Sequence, residues 1–167
     1  RKLGAVAVFA ATVRYAVRRE YMAKGVTPAQ NVERHVAQAF ARVKPLLEAM
    51  GTTIHHCGGP GSGMRTKLVN NYLAIVSCAF NAEALALSQR FGLSLEKTLD
   101  VVHGTTATNG QLKMAWATKV LKGDTEPGFT IDLAHKDLTL IVVAARASKV
   151  PVPFCTTPLE SFRAVRV

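Results

Sequence analysis

Residues 61–91 read GSGMRTKLVNNYLAIVSCAFNAEALALSQRF, and this stretch decides the fold. Apolar residues recur there at steps of three and four, and no Pro or Gly interrupts them between Met64 and Phe91. The pattern predicts one long helix. Because the helix is apolar on more than one side, we expect it to be the central, buried helix of an all-α domain. Its recurring apolar positions are Leu68, Tyr72, Ile75, Ala79, Ala82, Leu85 and Ala86.

Shorter patterns on both sides predict further helices and at most one strand. Asn31 is a candidate N-cap for a helix that ends at Gly51. Residues 52–57 then form a short strand-like run, which ends in the glycine-rich turn at 58–61. The predicted fold class is an all-α helical bundle around the long helix, with a short irregular or strand-containing segment before it. Downstream helices are predicted from Ser94, over residues 112–121, over residues 129–149 and from Leu159 onward.

The composition limits the classes of protein to which the chain can belong. With 49% hydrophobic and 19% charged residues, the 167-residue chain is typical of a folded domain rather than a disordered one. Its longest apolar runs are far shorter than the roughly 20 residues that a membrane span needs. No signal peptide is recognisable, so we expect a cytoplasmic protein without a membrane partner. The three cysteines and the histidines lack metal-ligand spacing, so neither a metal site nor a disulfide is expected.

The net charge of +10 indicates anionic partners. Residues 1–35 carry seven Lys or Arg against two Asp or Glu, and the rest of the excess is spread over the remaining chain. Nucleic-acid binders more often carry a basic stripe interleaved with aromatic residues, which make up only 7% of this chain. Small anionic substrates or nucleotide phosphates are therefore favoured over nucleic acid.

Lys67 and Asn71 are the first candidate site. They lie four residues apart, so on a helix an ammonium and a carboxamide share one face, where they can hold and protonate a substrate oxygen. The preceding Gly61 and Gly63 match neither a dinucleotide fingerprint nor a Walker loop, and they fit a loop that approaches a ligand closely. A solvated lysine at a helix end, with Asn70 and Asn71 as ordinary first-turn residues, is the alternative that spacing alone leaves open.

Lys136 is the second candidate. It lies in a charged run, DLAHKD at residues 132–137, inside an otherwise apolar helix. The run is either a solvated stripe of that helix or a contact to the phosphate or carboxamide of a cofactor. Neighbouring residues on a helix point about 100° apart, so a simple ion pair between Lys136 and Asp137 is not expected.

Both candidates resemble the signatures of one family. The motif Gly61-x-Gly63-x-x-x-Lys67-x-x-Asn70-Asn71 resembles the catalytic motif of the β-hydroxyacid dehydrogenases, which include 3-hydroxyisobutyrate dehydrogenase. The motif Phe129-x-Ile131-x-Leu133-x-x-Lys136-Asp137-Leu138 resembles the second signature of that family. The resemblance extends from residue 39 to residue 162, and within the family it is strongest to the 3-sulfolactaldehyde reductase branch.

The resemblance implies an NAD(P)-dependent enzyme that interconverts a small hydroxy acid and its aldehyde. Lys67 would be the proton donor, Asn70, Asn71, Gly61 and Gly63 would bind the substrate, and Lys136, Phe129 and Asp137 would lie at the cofactor. The cofactor would be NAD or NADP, with NAD favoured, and the protein would be a dimer or tetramer. The family joins a Rossmann domain to an all-α domain of the 6-phosphogluconate dehydrogenase type.

On this basis residues 58–167 are expected to be the helical catalytic and dimerisation domain, truncated at its end. Residues 1–57 would be an atypical remnant where a Rossmann domain should end. Nothing in the chain resembles the family's dinucleotide-binding glycine loop, so we expect this chain alone to be inactive. The competing hypothesis is a non-catalytic helical module for dimerisation or interaction.

Overall fold

The computed structural model describes residues 29–124 and 126–166, and side chains from residue 34 onward. The described residues are helical or irregular, which confirms the all-α class. Helices α1 to α5 span Ala29–Met50, Ser62–Arg90, Leu95–His103, Ile131–Ala147 and Pro153–Ala164. Between α3 and α4 lie a π-helical segment, Leu112–Trp116, and a 3₁₀ turn, Val120–Lys122. Within this described part, no helix is both long and apolar enough to cross a membrane.

The chain divides into two compact units between Lys67 and Leu68, inside the unbroken helix α2. The predicted domain boundary between residues 57 and 58 stays a prediction. Expectations for residues 1–28 lie outside the described residues. Helix α1 begins at Ala29, ahead of the predicted Asn31 cap.

In the first unit, the strand-like run predicted at residues 52–57 is wrong, because the structure has no strand there. A strand needs a neighbour to pair its N–H and C=O groups, and these residues have none among the described part of the chain. The turn that follows requires glycine: Gly58 and Gly61 have φ values of +101° and +86°. Helix α2 starts directly after it, at Ser62.

The second unit has two apolar clusters along α2. The first joins Ile75 of α2 to α4 and α5, and in it Leu138 and Cys155 are fully buried. The second joins Leu85 of α2 to Leu112 and Trp116 of the π-helical segment, with α3 packed against it. Because helices bury apolar stripes against each other, these two clusters fix how α3, α4 and α5 pack on α2.

The prediction that α2 is a buried central helix is wrong for one of its faces. One face of the helix stays exposed, because Val69, Leu73, Phe80 and Leu87 retain 60%, 65%, 48% and 53% of their accessible surface. Their steps of four and seven residues place them on a single stripe. The other helices of the second unit cover only part of a helix of 29 residues. This stripe of Val69, Leu73, Phe80 and Leu87 is called the open stripe below.

The helix ends follow local capping signals in α3 and α4 but not in α5. The side chain of Ser94 accepts a bond from the Lys97 N–H, and that of Thr130 accepts one from the Leu133 N–H. The last helix begins at Pro153 rather than near the predicted Leu159. Proline suits the first helical position. Pro158 in the second turn removes a single hydrogen bond, which a helix this close to the surface can replace with water.

Two asparagines pair across the second unit. Asn81 of α2 and Asn109, in the loop before the π-helical segment, exchange amide hydrogen bonds of 3.1 and 2.9 Å. Asn109 Oδ1 also accepts a bond from the Leu112 N–H. Asn81 is only 3% exposed, so a lost partner would leave a buried amide unsatisfied.

We expect Asn109→Ala to lower the free energy of unfolding by about 1–3 kcal/mol, because the buried amide of Asn81 would lose the side chain with which it exchanges hydrogen bonds. Urea denaturation of the 167-residue chain followed by circular dichroism measures the change. The matched control is Thr106→Ala, an exposed position of the same loop, which should change little. Equal stabilities of the two variants would contradict the structural role of the pair.

Lys149 is held in the left-handed region, with φ of +57°. It follows α4 in a Schellman arrangement, in which the Lys149 and Val150 N–H groups donate to the carbonyls of Arg146 and Ala145. We expect Lys149→Gly to raise the free energy of unfolding by about 0.5–1 kcal/mol, because glycine adopts this conformation without the Cβ penalty. Chemical denaturation measures this change, with Ser148→Gly as the control. Ser148 has a φ of −92°, so glycine brings no such gain there. Destabilisation by both variants would refute the prediction.

Candidate active site

Helices α2 and α4 meet at a polar contact between Asn71 and Asp137. The Asn71 Nδ2 donates to Asp137 Oδ2 at 2.6 Å, although the two residues are 66 positions apart. The Asp137 side chain is buried, with 3% exposure. A carboxylate without a proton can only accept, so this contact turns the amide nitrogen of Asn71 toward Asp137 and its oxygen away. That oxygen accepts a bond of 3.2 Å from the Asn70 amide.

Lys136 joins the same carboxylate. Its Nζ lies 2.9 Å from Asp137 Oδ1, and its side chain remains 54% exposed. The expectation that these neighbours form no simple ion pair is therefore wrong. The long side chain of Lys136 bends round the helix and reaches the short, buried side chain of Asp137. The angle between the Cβ directions of the two residues does not prevent this contact. The result is a positive charge that is anchored at one end and open to solvent.

The apolar core brings this polar contact together. Ile75 lies one turn after Asn71 on α2, and Leu138 follows Asp137 on α4. Both belong to the first apolar cluster, so burying them presses the two helices together at this level. The polar side chains beside them must then pair, because a buried carboxylate without partners is unfavourable.

Lys67 lies on α2 one turn before Asn71, as the spacing predicted, since the helix is unbroken from Ser62 to Arg90. It is partly buried and is the last residue of the first unit. Its placement on the Asn71 face thus follows from the helix itself. The catalytic assignment stays a prediction.

The remaining candidate residues lie at different places before α2, along it and before α4. Gly61 precedes α2 with its positive φ, and no atom lies within 4 Å of where a Cβ would be, so backbone conformation rather than space requires glycine. Gly63 is in the first turn of α2, and Asn70 is exposed. Phe129 precedes the Thr130 cap of α4 and is 50% exposed. The structure brings together Asn70, Asn71, Lys136 and Asp137 within the second unit.

Sequence reasoning missed the link between Asn71 and Asp137. A signal was present, because an acidic residue directly before a leucine in an apolar helix is either exposed or paired. Periodicity could not say which helix would supply the partner. The Asn81–Asn109 pair was missed for the same reason.

Cys155 is a core residue rather than a nucleophile of this site. Cys155 is fully buried among apolar side chains, and burial raises the pKa of its thiol, which lowers the fraction of reactive thiolate. Among the described residues, the acidic, histidine and cysteine side chains nowhere gather in a set of three that could hold a metal ion.

Comparison with known proteins locates both motifs in one family. Residues 61–166 match the family described as "NAD-binding of NADP-dependent 3-hydroxyisobutyrate dehydrogenase". The 3-sulfolactaldehyde reductase of Escherichia coli (strain K12) is 40% identical over 130 residues, which make up 78% of this chain and 44% of that protein. The chain thus spans less than half the length of this relative.

Solved structures show the same fold. The chain resembles the 3-hydroxyisobutyrate dehydrogenase of Mycobacterium tuberculosis with a TM-score of 0.71 and 29% identity, over 76% of this chain and 46% of that one. It resembles a 3-hydroxyisobutyrate dehydrogenase from Salmonella typhimurium with a TM-score of 0.67 and 33% identity, over 75% and 44% of the two chains. Lys67 and Lys136 both fall inside the matched residues 61–166.

Proposed function

Since this chain belongs to the 3-hydroxyisobutyrate dehydrogenase family, we propose that it supplies the proton-transfer and substrate-orienting groups of an NAD(P)-dependent dehydrogenase. The observation that carries the proposal is the hydrogen bond of Asn71 to Asp137, whose carboxylate also pairs with Lys136. The amide of Asn71 and the anchored ammonium of Lys136 lie where α2 meets α4, and Lys67 precedes Asn71 by one turn of α2. This set fits the interconversion of a small hydroxy acid and its aldehyde.

Lys67 is the proposed proton donor. In the reducing direction, the Lys67 ammonium gives a proton to the aldehyde oxygen while the carbonyl carbon gains a hydride, and the neutral amine takes the proton back in the reverse direction. The bound nicotinamide supplies or accepts that hydride. Asn71, one turn along the same helix face, holds the reacting oxygen, and Asn70 steadies the Asn71 amide through their hydrogen bond.

Lys136 is the proposed cofactor contact. Its ammonium is held by Asp137 at one side and exposed at the other, which suits a polar group of the nicotinamide half of NAD(P). Phe129, half-exposed before α4, would add an apolar surface for the same group. The residues present therefore fit an NAD(P) molecule, and we favour NAD over NADP.

The substrate is proposed to be a small anion. The named activities of the relatives, on 3-sulfolactaldehyde and 3-hydroxyisobutyrate, both involve small acids. Cationic groups such as Lys67 and Lys136, in a chain of net charge +10, attract substrates of that charge.

Self-association is proposed to occur through the open stripe. Four exposed apolar side chains in line on one helix form a surface that another helix can cover, as in paired helices with a seven-residue repeat. This surface also favours the second candidate function, a non-catalytic dimerisation module. Sedimentation of the chain with Leu73→Lys should show weaker association than the parent chain.

The dehydrogenase proposal is tested by turnover. The chain is joined to the part of the E. coli reductase that it does not match, and the oxidation of NADH or NADPH is followed with 3-sulfolactaldehyde and with the semialdehyde of 3-hydroxyisobutyrate. We expect turnover with at least one small acid and a preference for NADH. Self-association without turnover on either substrate would support the dimerisation module instead.

A further inference from the structure

We infer that Asp137 is a positioning residue that sets the orientation of the Asn71 carboxamide and the place of the Lys136 ammonium at once. The inference rests on the proposed function, because it deepens the roles of these two groups. The resemblance placed Asp137 at the cofactor directly. Its carboxylate is almost wholly buried and already faces two partners, so an indirect role fits its surroundings better.

The orientation of Asn71 depends on the chemistry of its partner. The two ends of a carboxamide have the same shape, and only hydrogen bonding decides which end faces which neighbour. Because the carboxylate of Asp137 accepts and does not donate, it selects the amide nitrogen of Asn71 at 2.6 Å. The oxygen of Asn71 is left on the other side, where the Asn70 amide bonds it. The second proton of Asn71 Nδ2 can then be donated to the reacting oxygen, which accepts a hydrogen bond both as an aldehyde and as an alcohol.

The same carboxylate of Asp137 also positions the positive charge of Lys136. Its second oxygen lies 2.9 Å from Lys136 Nζ, so the ammonium of a long, flexible side chain is held next to the amide. Asp137 itself is held by the packing of Leu138, which is fully buried one residue later. One rigid group thus links the residue proposed to orient the substrate and the residue proposed to meet the cofactor.

Asp137→Asn would keep the shape of the side chain, but the side chain would no longer select the amide nitrogen of Asn71. In Asp137→Asn the new side chain has one oxygen and one NH₂ group for two donors, so either Asn71 turns over or Lys136 loses its partner. We expect kcat/KM to fall about 100-fold, as for a reacting group displaced by about 1 Å. The fall should include a rise in KM, whereas partial unfolding lowers kcat and leaves KM unchanged.

The first test uses nuclear magnetic resonance of the 167-residue chain. In the parent chain, a scalar coupling across the hydrogen bond should join Asn71 Nδ2 to the carboxyl carbon of Asp137. Asp137→Asn should abolish it and shift the Asn71 side-chain amide protons. The control, Asp132→Asn, removes a carboxylate of the same helix that is 72% exposed and paired with Arg166, and should leave those protons unchanged.

The second test is the kinetics of the same variants in the fused enzyme described above. A rise in KM for Asp137→Asn, and not for Asp132→Asn, supports the inference. A parent chain without the coupling, or an Asp137→Asn enzyme whose KM is unchanged, overturns it. If Asp137→Asn fails to fold, the coupling in the parent chain still decides. An inactive parent enzyme with the coupling present would instead overturn the proposed dehydrogenase.

Discussion

Replacing Lys67 by alanine should lower kcat by roughly 10²- to 10⁴-fold in the fused enzyme, because the reacting oxygen would lose its proton donor. Lys67→Arg should lose nearly as much. Arginine keeps the positive charge but does not release its proton in the pH range of the assay, so it separates proton transfer from charge attraction. Steady-state oxidation of NADH with the preferred small acid measures both variants.

The control for this prediction is Lys97→Ala, which removes an exposed lysine of α3 without touching α2. It should leave kcat and KM near their parent values. Circular dichroism before and after the assay establishes that the Lys67 variants are folded. Unchanged turnover in folded Lys67→Ala would refute the catalytic assignment, whatever the family of the chain.

Replacing Leu138 by alanine should lower the free energy of unfolding by about 2–5 kcal/mol. Its side chain has no exposed surface and belongs to the cluster that joins α2, α4 and α5. The deletion leaves a cavity between these helices, and close-packed neighbours cannot collapse into it fully. Urea denaturation of the chain at low protein concentration, where self-association is minimal, measures the loss.

The matched variant is Leu140→Ala on the same helix, where the leucine is 49% exposed. It removes the same atoms, but water already covers about half of them, so its effect should be much smaller. If the two variants lose equal stability, the cluster around Leu138 does not hold α4 in place. The explanation that this packing brings Asp137 to Asn71 would then be wrong as well.

Local signals in the sequence predicted most helices correctly. The uninterrupted apolar steps from Met64 to Phe91 correspond to α2, at Ser62–Arg90. The helix predicted from Ser94 and the helix predicted over residues 129–149 are also confirmed. These features depend on hydrogen bonds and side chains within a few residues of each other, so the sequence contains their physical cause. The family resemblance, read from motifs of the same short range, is confirmed by the match over residues 61–166.

Two of the wrong predictions have a shared cause. The strand at residues 52–57 needed a partner that local sequence cannot reveal, and the burial of α2 depended on how many helices surround it. The last helix starts before the predicted Leu159, because a helix tolerates Pro158 in its second turn. For the strand and for the burial of α2, the neighbours in space, not in sequence, decided the outcome.

The sequence by itself determined that Lys67 and Asn71 share a face, because residues four apart on any helix do so. It also predicted a helix over residues 129–149, which contains α4 at Ile131–Ala147. Only the tertiary structure decided that Asn71 would meet Asp137, 66 residues away, and that Lys136 would join the same carboxylate. The reason is physical: helical periodicity arises from local hydrogen bonds, whereas the contact between two helices is selected by the apolar side chains that both must bury together.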